Sequence, residues 1–350
     1  MLKDLKVIEL AGVLAGPAVG MFFAEMGATV IKIENNTTGG DASRKWKLPV
    51  EDKTLPGSAY FASVNWGKEH IFMDLTLAHD HNQLIELIKT ADVLICNWKK
   101  GDARKFGLDH DAIKKINSRI IYGNITGFGD DDRVAYDVVL QAETGWMFMN
   151  GSVDSPPVKI PVAIIDLFAA HQLKEGILVA LINRMKTGEG AVVYVSLFDA
   201  AIAALANQAS NYLITGHIPQ RMGSLHPNIA PYGEIIKCLD GKEIVLAIAT
   251  DKQFAAFCGL IGCDDLIKDE NFITNTQRVK NRELLFRKIE EKTQLLNSSE
   301  LMQHFISNNI PAGVIRNMEE LFQQKRSVEL ILEDEVGKRV RTAVFNITTL

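Results

Sequence analysis

An aspartate stands where an apolar run turns into a helix: Asp166 in "PVAIIDLFAAHQL". On propensity its first reading is structural, an N-cap whose carboxylate accepts amide hydrogen bonds and favours the positive helix end. The same place permits chemistry. A carboxylate held among helix N-terminal amides stays ionised, and those amides can stabilise an oxyanion beside it. His171 lies roughly 140° around the helix from Asp166, so a dyad would need a bend, and a structural histidine is the better reading.

A basic set follows strands of one sheet: Arg44, Lys68, Lys99, Lys100, Arg104 and Lys105. Ligands of open α/β sheets lie at the carboxyl ends of strands, so together these residues suit a phosphate-rich ligand. Any one of them alone reads as solvated surface. The chain contains no H-E-x-x-H, C-x-x-C, G-x-S-x-G or P-loop, which leaves zinc, acyl-serine and nucleoside-triphosphate chemistry without a local motif.

The elements that must position these residues alternate. "KVIEL", "ATVIKIE", "HIFMDL", "DVLICN" and "RIIYGNIT" are apolar strands separated by helical stretches, which predicts a parallel sheet covered on both faces. The polar loop 35–58 interrupts the pattern and is longer than most connections, so it is either functional or mobile. A long helix from "PVAIID" ends at Gly188 and Gly190; the strand "AVVYVSL" and a second long helix, "FDAAIAALANQASNYLI", follow. The Pro- and Gly-rich "TGHIPQRMGSLHPNIAPYG" reads as a domain crossing. Beyond it, Asp240-Gly241 between two alternating runs predicts a hairpin, with helices and the short strand "IPAGVIR" after it. The expected division is a large domain of residues 1–215, completed by 326–350, and a small α+β domain with linkers over 216–325.

"KVIELAGVLAGPAVGMFFAEMGATVIKIE" has the outline of a dinucleotide-binding unit: strand, glycine turn, helix, strand, acid. Its spacing does not. The fingerprint needs G-x-G-x-x-G, while these glycines are Gly12, Gly16 and Gly20, and Pro17 removes one amide donor at the helix start. Without the fingerprint upstream, Glu34 reads as a solvated strand end.

Composition narrows the class. At 350 residues and 38.7 kDa the chain has room for two cores, and 47% hydrophobic with 23% charged residues is ordinary for a globular protein. A formal charge of −5 with scattered Lys and Arg gives nucleic acid no purchase. "MLKDLKVIEL" has no signal-peptide core, and no apolar run approaches the roughly 18 residues of a membrane span. Cys96, Cys238, Cys258 and Cys263 read as reduced, buried thiols, so a cytoplasmic protein is expected.

In order and spacing, "VLAGPAVGMFFAEMGATVIKIE", "GDASRKW", "NWGKEHIFMDL", "ADVLICNWKKGDARKFGL", "INSRIIYGNITGFG", "YDVVLQAETGWM" and "SLFDAAIAAL" resemble the family III CoA-transferases. These are relatives of the carnitine and formyl-CoA transferases, and the α-methylacyl-CoA racemases belong with them. "RMGSLHPNIAPYGEIIKCLDG" and "IPAGVIRNMEEL" carry the likeness into the second half. The resemblance implies a Rossmann-like large domain that holds coenzyme A rather than NAD. It also implies an interlocked homodimer, with the site between the large domain of one chain and the small domain of its partner.

Position by position, Asp166 falls on the catalytic aspartate, and Val13, Leu14 and Ala15 on the loop that touches coenzyme A. Arg44 falls near the nucleotide end, and Asn97, Trp98 and Lys99 on an Asn-Phe-Arg/Lys segment with Met73 nearby. Lys105 stands where most relatives have arginine; it keeps the charge but loses the bidentate fork. Lys100 replaces a usual proline and Cys96 a usual glutamate. "AIATDKQF" lacks the consecutive glycines of oxalate-using members. Tyr136 occupies the position of the racemase histidine, which favours transfer over racemisation. The implied reaction moves coenzyme A from an acyl-CoA donor to a small carboxylic acid through aspartyl anhydride and enzyme–CoA thioester intermediates. It needs no metal and no permanently bound cofactor. The alternatives are a racemase or epimerase and a non-catalytic CoA-binding protein.

Overall fold

A computed structural model describes residues 1–99, 101–335 and 337–348. They form two compact units. The first takes residues 1–147, 159–219 and the chain from Val328 onward; the second takes Phe148–Val158 and Gln220–Ser327. The excursion Phe148–Val158 lies outside the expected boundaries. It joins the second unit through bonds between backbones, Gly223 N–H to Gly151 C=O at 2.8 Å, and through the Arg221 guanidinium on Phe148 C=O at 2.8 Å.

Six strands build the first unit: β1 (Lys6–Glu9), β2 (Thr29–Asn35), β3 (Glu69–Met73), β4 (Val93–Cys96), β5 (Ile121–Thr126) and β6 (Ala191–Ser196). Their order is β3-β2-β1-β4-β5-β6, and every neighbouring pair is parallel. The order reverses between β1 and β4. Chain segments leaving those two strands diverge there and open a crevice at the carboxyl end of the sheet.

Alternating side chains feed two cores. Val7, Val93 and Ile95 pack under the helices Ala15–Glu25 and Ile164–Thr187. Ile8 and Leu94 pack on the other face with Leu84, Ile88 and Ile113 from the helices Ala78–Lys89 and His110–Ile116. The edge strand β6 departs from the two-sided cover expected of the sheet. Its Val193 face meets Gly176 of the long helix, while Val192 and Tyr194 are 43% and 57% exposed. The second long helix also departs from expectation. It breaks into Leu197–Ala203 and Asn207–Thr215 around Ala206, whose φ of 46° no α-helix can continue.

The second unit is a small antiparallel sheet, β7 (Tyr232–Lys237), β8 (Glu243–Ala247) and β9 (Ala312–Val314), in that order. The expected hairpin at Asp240-Gly241 is present, with Gly241 at φ 76°. Ile236, Ile244 and Leu246 bury against Phe254, Phe257 and Phe305 of the helices Asp251–Ile261 and Ser298–Ser307.

Beneath the first crossover lies a cluster of buried charges. Glu9, at the end of β1, pairs with Lys32 of β2 at 2.9 Å and with Lys68 at 2.8 Å; Lys32 also pairs with Asp41 at 3.1 Å. The four side chains are at most 1% exposed, and their charges balance. Lys68, expected in the phosphate-binding set, is thus an interior counter-ion, its ammonium pushed down to about 8 by burial. Glu34 is no solvated strand end either. It is 3% exposed and accepts from Arg44 Nε at 2.7 Å, His70 Nδ1 at 2.8 Å and Asp41 N–H at 2.8 Å. Burial raises its carboxyl, but those bonds outweigh it and hold the group well below the usual carboxylate range.

The loop 35–58 is anchored through the same cluster, with Asp41, Ser43 and Ser58 all buried and Ser58 Oγ donating to Ser43 C=O at 2.6 Å. The glycine spacing now has its reason. A Cβ on Gly16 would collide with Ala11, and one on Gly20 with the Glu9 carboxylate. Gly16 seats the helix against the segment after β1, and Gly20 seats it against the charged end of that strand. We expect Gly20→Ala to destabilise the chain by about 2–4 kcal/mol, because it overpacks a buried ion pair that cannot move away. Urea denaturation measures this, and a change below about 0.5 kcal/mol would remove the close-packing explanation.

Candidate active site

The long helix Ile164–Thr187 begins without a cap of its own: Ala163 is the N-cap residue and makes no side-chain bond. Another segment supplies the cap. Asp137, the first residue of the helix Asp137–Glu143, accepts Ile165 N–H on Oδ2 at 2.7 Å and Gln141 Nε2 on Oδ1 at 2.5 Å. Gln141, fully buried, accepts Ile160 N–H at 2.8 Å, so the approach to the helix is tied down twice.

Asp166 is consequently not the cap that its position suggests. Its carboxyl is 8% exposed in the first helical turn, and Asp137 has taken the amide. The expectation that amides would keep it readily ionised is reversed as well. Burial first, and then the negative charge of Asp137, push Asp166 up to about 7. Such a carboxylate is a stronger base and nucleophile than one in water, yet half of it remains ionised near neutral pH. Tyr60 feels the same field. Burial and the charges of Asp166, Asp137 and Asp41 push its hydroxyl up to about 12, so it stays neutral.

Asp166 borders an open cavity of about 250 Å³. The same cavity takes in the crevice where the sheet order reverses. Val13, Leu14 and Ala15 line it from the segment after β1, and Asn97, Trp98 and Lys99 from the segment after β4. The two segments are stitched together: Asn97 Nδ2 donates to Gly12 C=O at 2.9 Å, and Asn97 Oδ1 accepts Gly12 N–H at 3.1 Å. Val13 has φ 71°, a left-handed conformation that is unusual for a β-branched residue.

Trp98 also borders two further cavities. One, of about 270 Å³, is lined by apolar Met73, Leu10, Ile33 and Phe106 and by polar Glu34, Asn35 and Asp74. Trp98 and Phe106 meet edge to face there at 5.5 Å. The other, of about 680 Å³, takes in Lys99, Arg104 and Tyr194.

Seven of the ten expected site residues therefore share the first cavity, and Met73 joins them through Trp98. Two do not line it. Lys105 is exposed and paired with Asp102 at 2.6 Å. The Arg44 guanidinium is spent on Glu34 and on Pro56 C=O at 3.0 Å and stacks 3.8 Å over Phe61. Lys100 lies outside the described residues. His171 sits exposed on the long helix, 2.9 Å from Lys174 Nζ. Sequence reading missed the roles of Asp137 and Asp41. Asp41-Ala42-Ser43 carried a usable signal, since aspartate two residues before serine is an Asx-turn pattern and Ser43 N–H does bond Asp41 at 3.0 Å. No group of three His, Cys, Asp or Glu among the described residues could hold a metal ion, and no described helix is long and apolar enough to cross a membrane.

Comparison with known proteins gives this geometry a family. The sequence model of CoA-transferase family III matches residues 2–347. The chain is 39% identical over 347 residues to a succinate–glutarate CoA-transferase of Agrobacterium fabrum, spanning 96% of this chain and 86% of that protein. It is 32% identical over 346 residues to the human succinyl-CoA:glutarate CoA-transferase, spanning 96% and 78%. A crystal structure of a CaiB/BaiF family protein from Brucella suis superposes with a TM-score of 0.89 at 37% identity, covering 98% of this chain and 92% of that one. The chain belongs to CoA-transferase family III.

Proposed function

We propose that this protein moves coenzyme A from an acyl-CoA donor to a carboxylic acid acceptor, with Asp166 as the nucleophile. One observation carries the reading: a buried carboxylate, relieved of capping duty by Asp137 and raised to about 7, borders a cavity that takes in the crevice where the sheet order reverses. The Asp166 carboxylate attacks the thioester carbonyl. The C–S bond breaks, leaving an acyl–aspartyl anhydride and coenzyme A thiolate. The thiolate attacks the aspartyl carbonyl and expels the donor carboxylate, leaving an aspartyl–CoA thioester. The acceptor carboxylate attacks that thioester, and the returning thiolate then takes the acceptor acyl group, which restores Asp166. No proton is needed at any step, so the pocket has only to orient the reactants and exclude water.

The loop Val13–Leu14–Ala15 and the segment Asn97–Trp98–Lys99 hold the coenzyme, and the slot between Trp98 and Met73 suits its flat adenine base. Lys99 meets its charge at the cavity, with Lys105 outside. Arg44 acts one layer behind, by fixing Glu34. Several relatives are named for succinate, glutarate or mesaconate, which supports dicarboxylic acids as substrates. Racemisation would need a second acid–base group, and at the position in question stands Tyr136, 56% exposed beside the cavity. We further propose an interlocked homodimer. Val179, Ile182 and Met185 form an exposed apolar stripe on the long helix, 66%, 57% and 86% accessible, and Val192 and Tyr194 on β6 are open too. A second copy of the chain would cover such surface.

Asp166→Asn should lose transfer from succinyl-CoA by more than about a thousandfold while coenzyme A binding stays within about threefold. Near-normal turnover would remove Asp166 from the mechanism. The same variant should be more stable than wild type at high pH. The folded carboxyl holds its proton up to about 7 and the unfolded one only to near 4, so wild-type stability falls as pH rises through that window. The gap between variant and wild type should be near zero at about pH 4 and reach up to about 4 kcal/mol above pH 7, read by denaturant titration.

The acid limb of kcat/KM should lie near the Asp166 value of about 7, with activity lost below it. Asp137→Asn keeps an oxygen for Ile165 N–H but removes a negative charge, so the limb should move to lower pH. An unmoved limb would separate Asp137 from the electrostatics of the site. For the assembly, sedimentation at nanomolar concentration should still show a dimer, and a folded, active monomer would refute it.

A further inference from the structure

We propose that Asp41 is a positioning residue for coenzyme A, one that holds Val13 in its left-handed conformation so that the loop Val13–Leu14–Ala15 fits the ligand. This rests on the reading of the cavity as an acyl-CoA site. Val13 lines that cavity, and at φ 71° its backbone occupies a region that valine avoids. Something must hold it there. Val13 N–H points at the Asp41 carboxylate, 3.2 Å from Oδ1 and 3.1 Å from Oδ2.

Asp41 is itself held from three directions. Lys32 Nζ lies 3.1 Å from Oδ2, Ser43 donates N–H at 3.0 Å and Oγ–H at 2.7 Å to Oδ1, and the Asp41 N–H is held by Glu34 at 2.8 Å. The carboxylate does not face a ligand with spare capacity; its lone pairs are taken by Lys32, Ser43 and Val13. Its sequence distance from Val13 makes the loop 35–58 a brace for the cavity wall. A rigid Asp41 thus selects one backbone state of a residue that would otherwise relax, and the binding cost of reordering the loop is removed in advance.

The test is calorimetric titration of the full chain with coenzyme A, combined with steady-state kinetics in a double-mutant cycle. Asp41→Asn should raise the coenzyme A Kd at least tenfold and raise KM for acyl-CoA more than it lowers kcat. In a Val13→Gly background the same substitution should cost less than threefold, because glycine takes positive φ without a restraint. An unchanged Kd in Asp41→Asn, or an equal loss in both backgrounds, overturns the proposal. If Asp41→Asn does not fold, Ser43→Ala decides, since it loosens Asp41 without removing a charge. It should raise Kd two- to threefold, and a wild-type value overturns the proposal. Wild-type protein that binds no coenzyme A overturns the acyl-CoA reading itself.

Discussion

Two carboxylates and two ammonium groups, sealed under the first crossover of the sheet, are the constraint on which the rest of this unit depends. Glu9, Lys32, Asp41 and Lys68 come from four different stretches of chain and share almost no water. Burying any one of them alone would be strongly unfavourable, and losing one partner leaves another charge uncompensated. The cluster is therefore tolerated only as a set, and the set has a single geometry. β1, β2, the loop 35–58 and the residue that leads into β3 must all be in place for it to close. Gly20 follows from it, because the helix above must approach a charged strand end with no side chain in between.

A second division of labour governs the site. An aspartate in the first turn of a helix can satisfy amides or do chemistry, and satisfying amides lowers its basicity. Here the two tasks fall to two residues. Asp137 reaches across from its own helix to take Ile165 N–H, and Asp166 is left buried beside it without that bond. Proximity of the two acids then works in the direction opposite to capping, raising the affinity of Asp166 for its proton. Electrostatic context, set by a residue on a different helix, decides what the carboxylate can do.

This explains what could and could not be read in advance. The parallel sheet, the hairpin at Asp240-Gly241 and the long helix ending at Gly188 were legible because hydrophobic period and turn chemistry are local properties. The loops that line the cavity were legible through ordered motifs. The surroundings of Glu34, Lys68 and Asp166 were misjudged, since the environment of a charge depends on partners from other segments: Arg44 and His70 for Glu34, Glu9 for Lys68, Asp137 for Asp166. The break at Ala206 carries no Gly or Pro to announce it.

The return of the chain to the first unit has a consequence for its birth on the ribosome. Glu25, at the end of the helix Ala15–Glu25, accepts Thr342 N–H at 2.7 Å and Ala343 N–H at 2.9 Å, partners more than three hundred positions away. Those donors do not exist until more than three hundred further residues have been translated. The second unit, contiguous but for its short excursion, is synthesised in one stretch, whereas the first must wait with its opening strands made and its last contacts missing. Vectorial synthesis thus runs against the usual order here. The unit whose strands are made first is the one whose contacts close last.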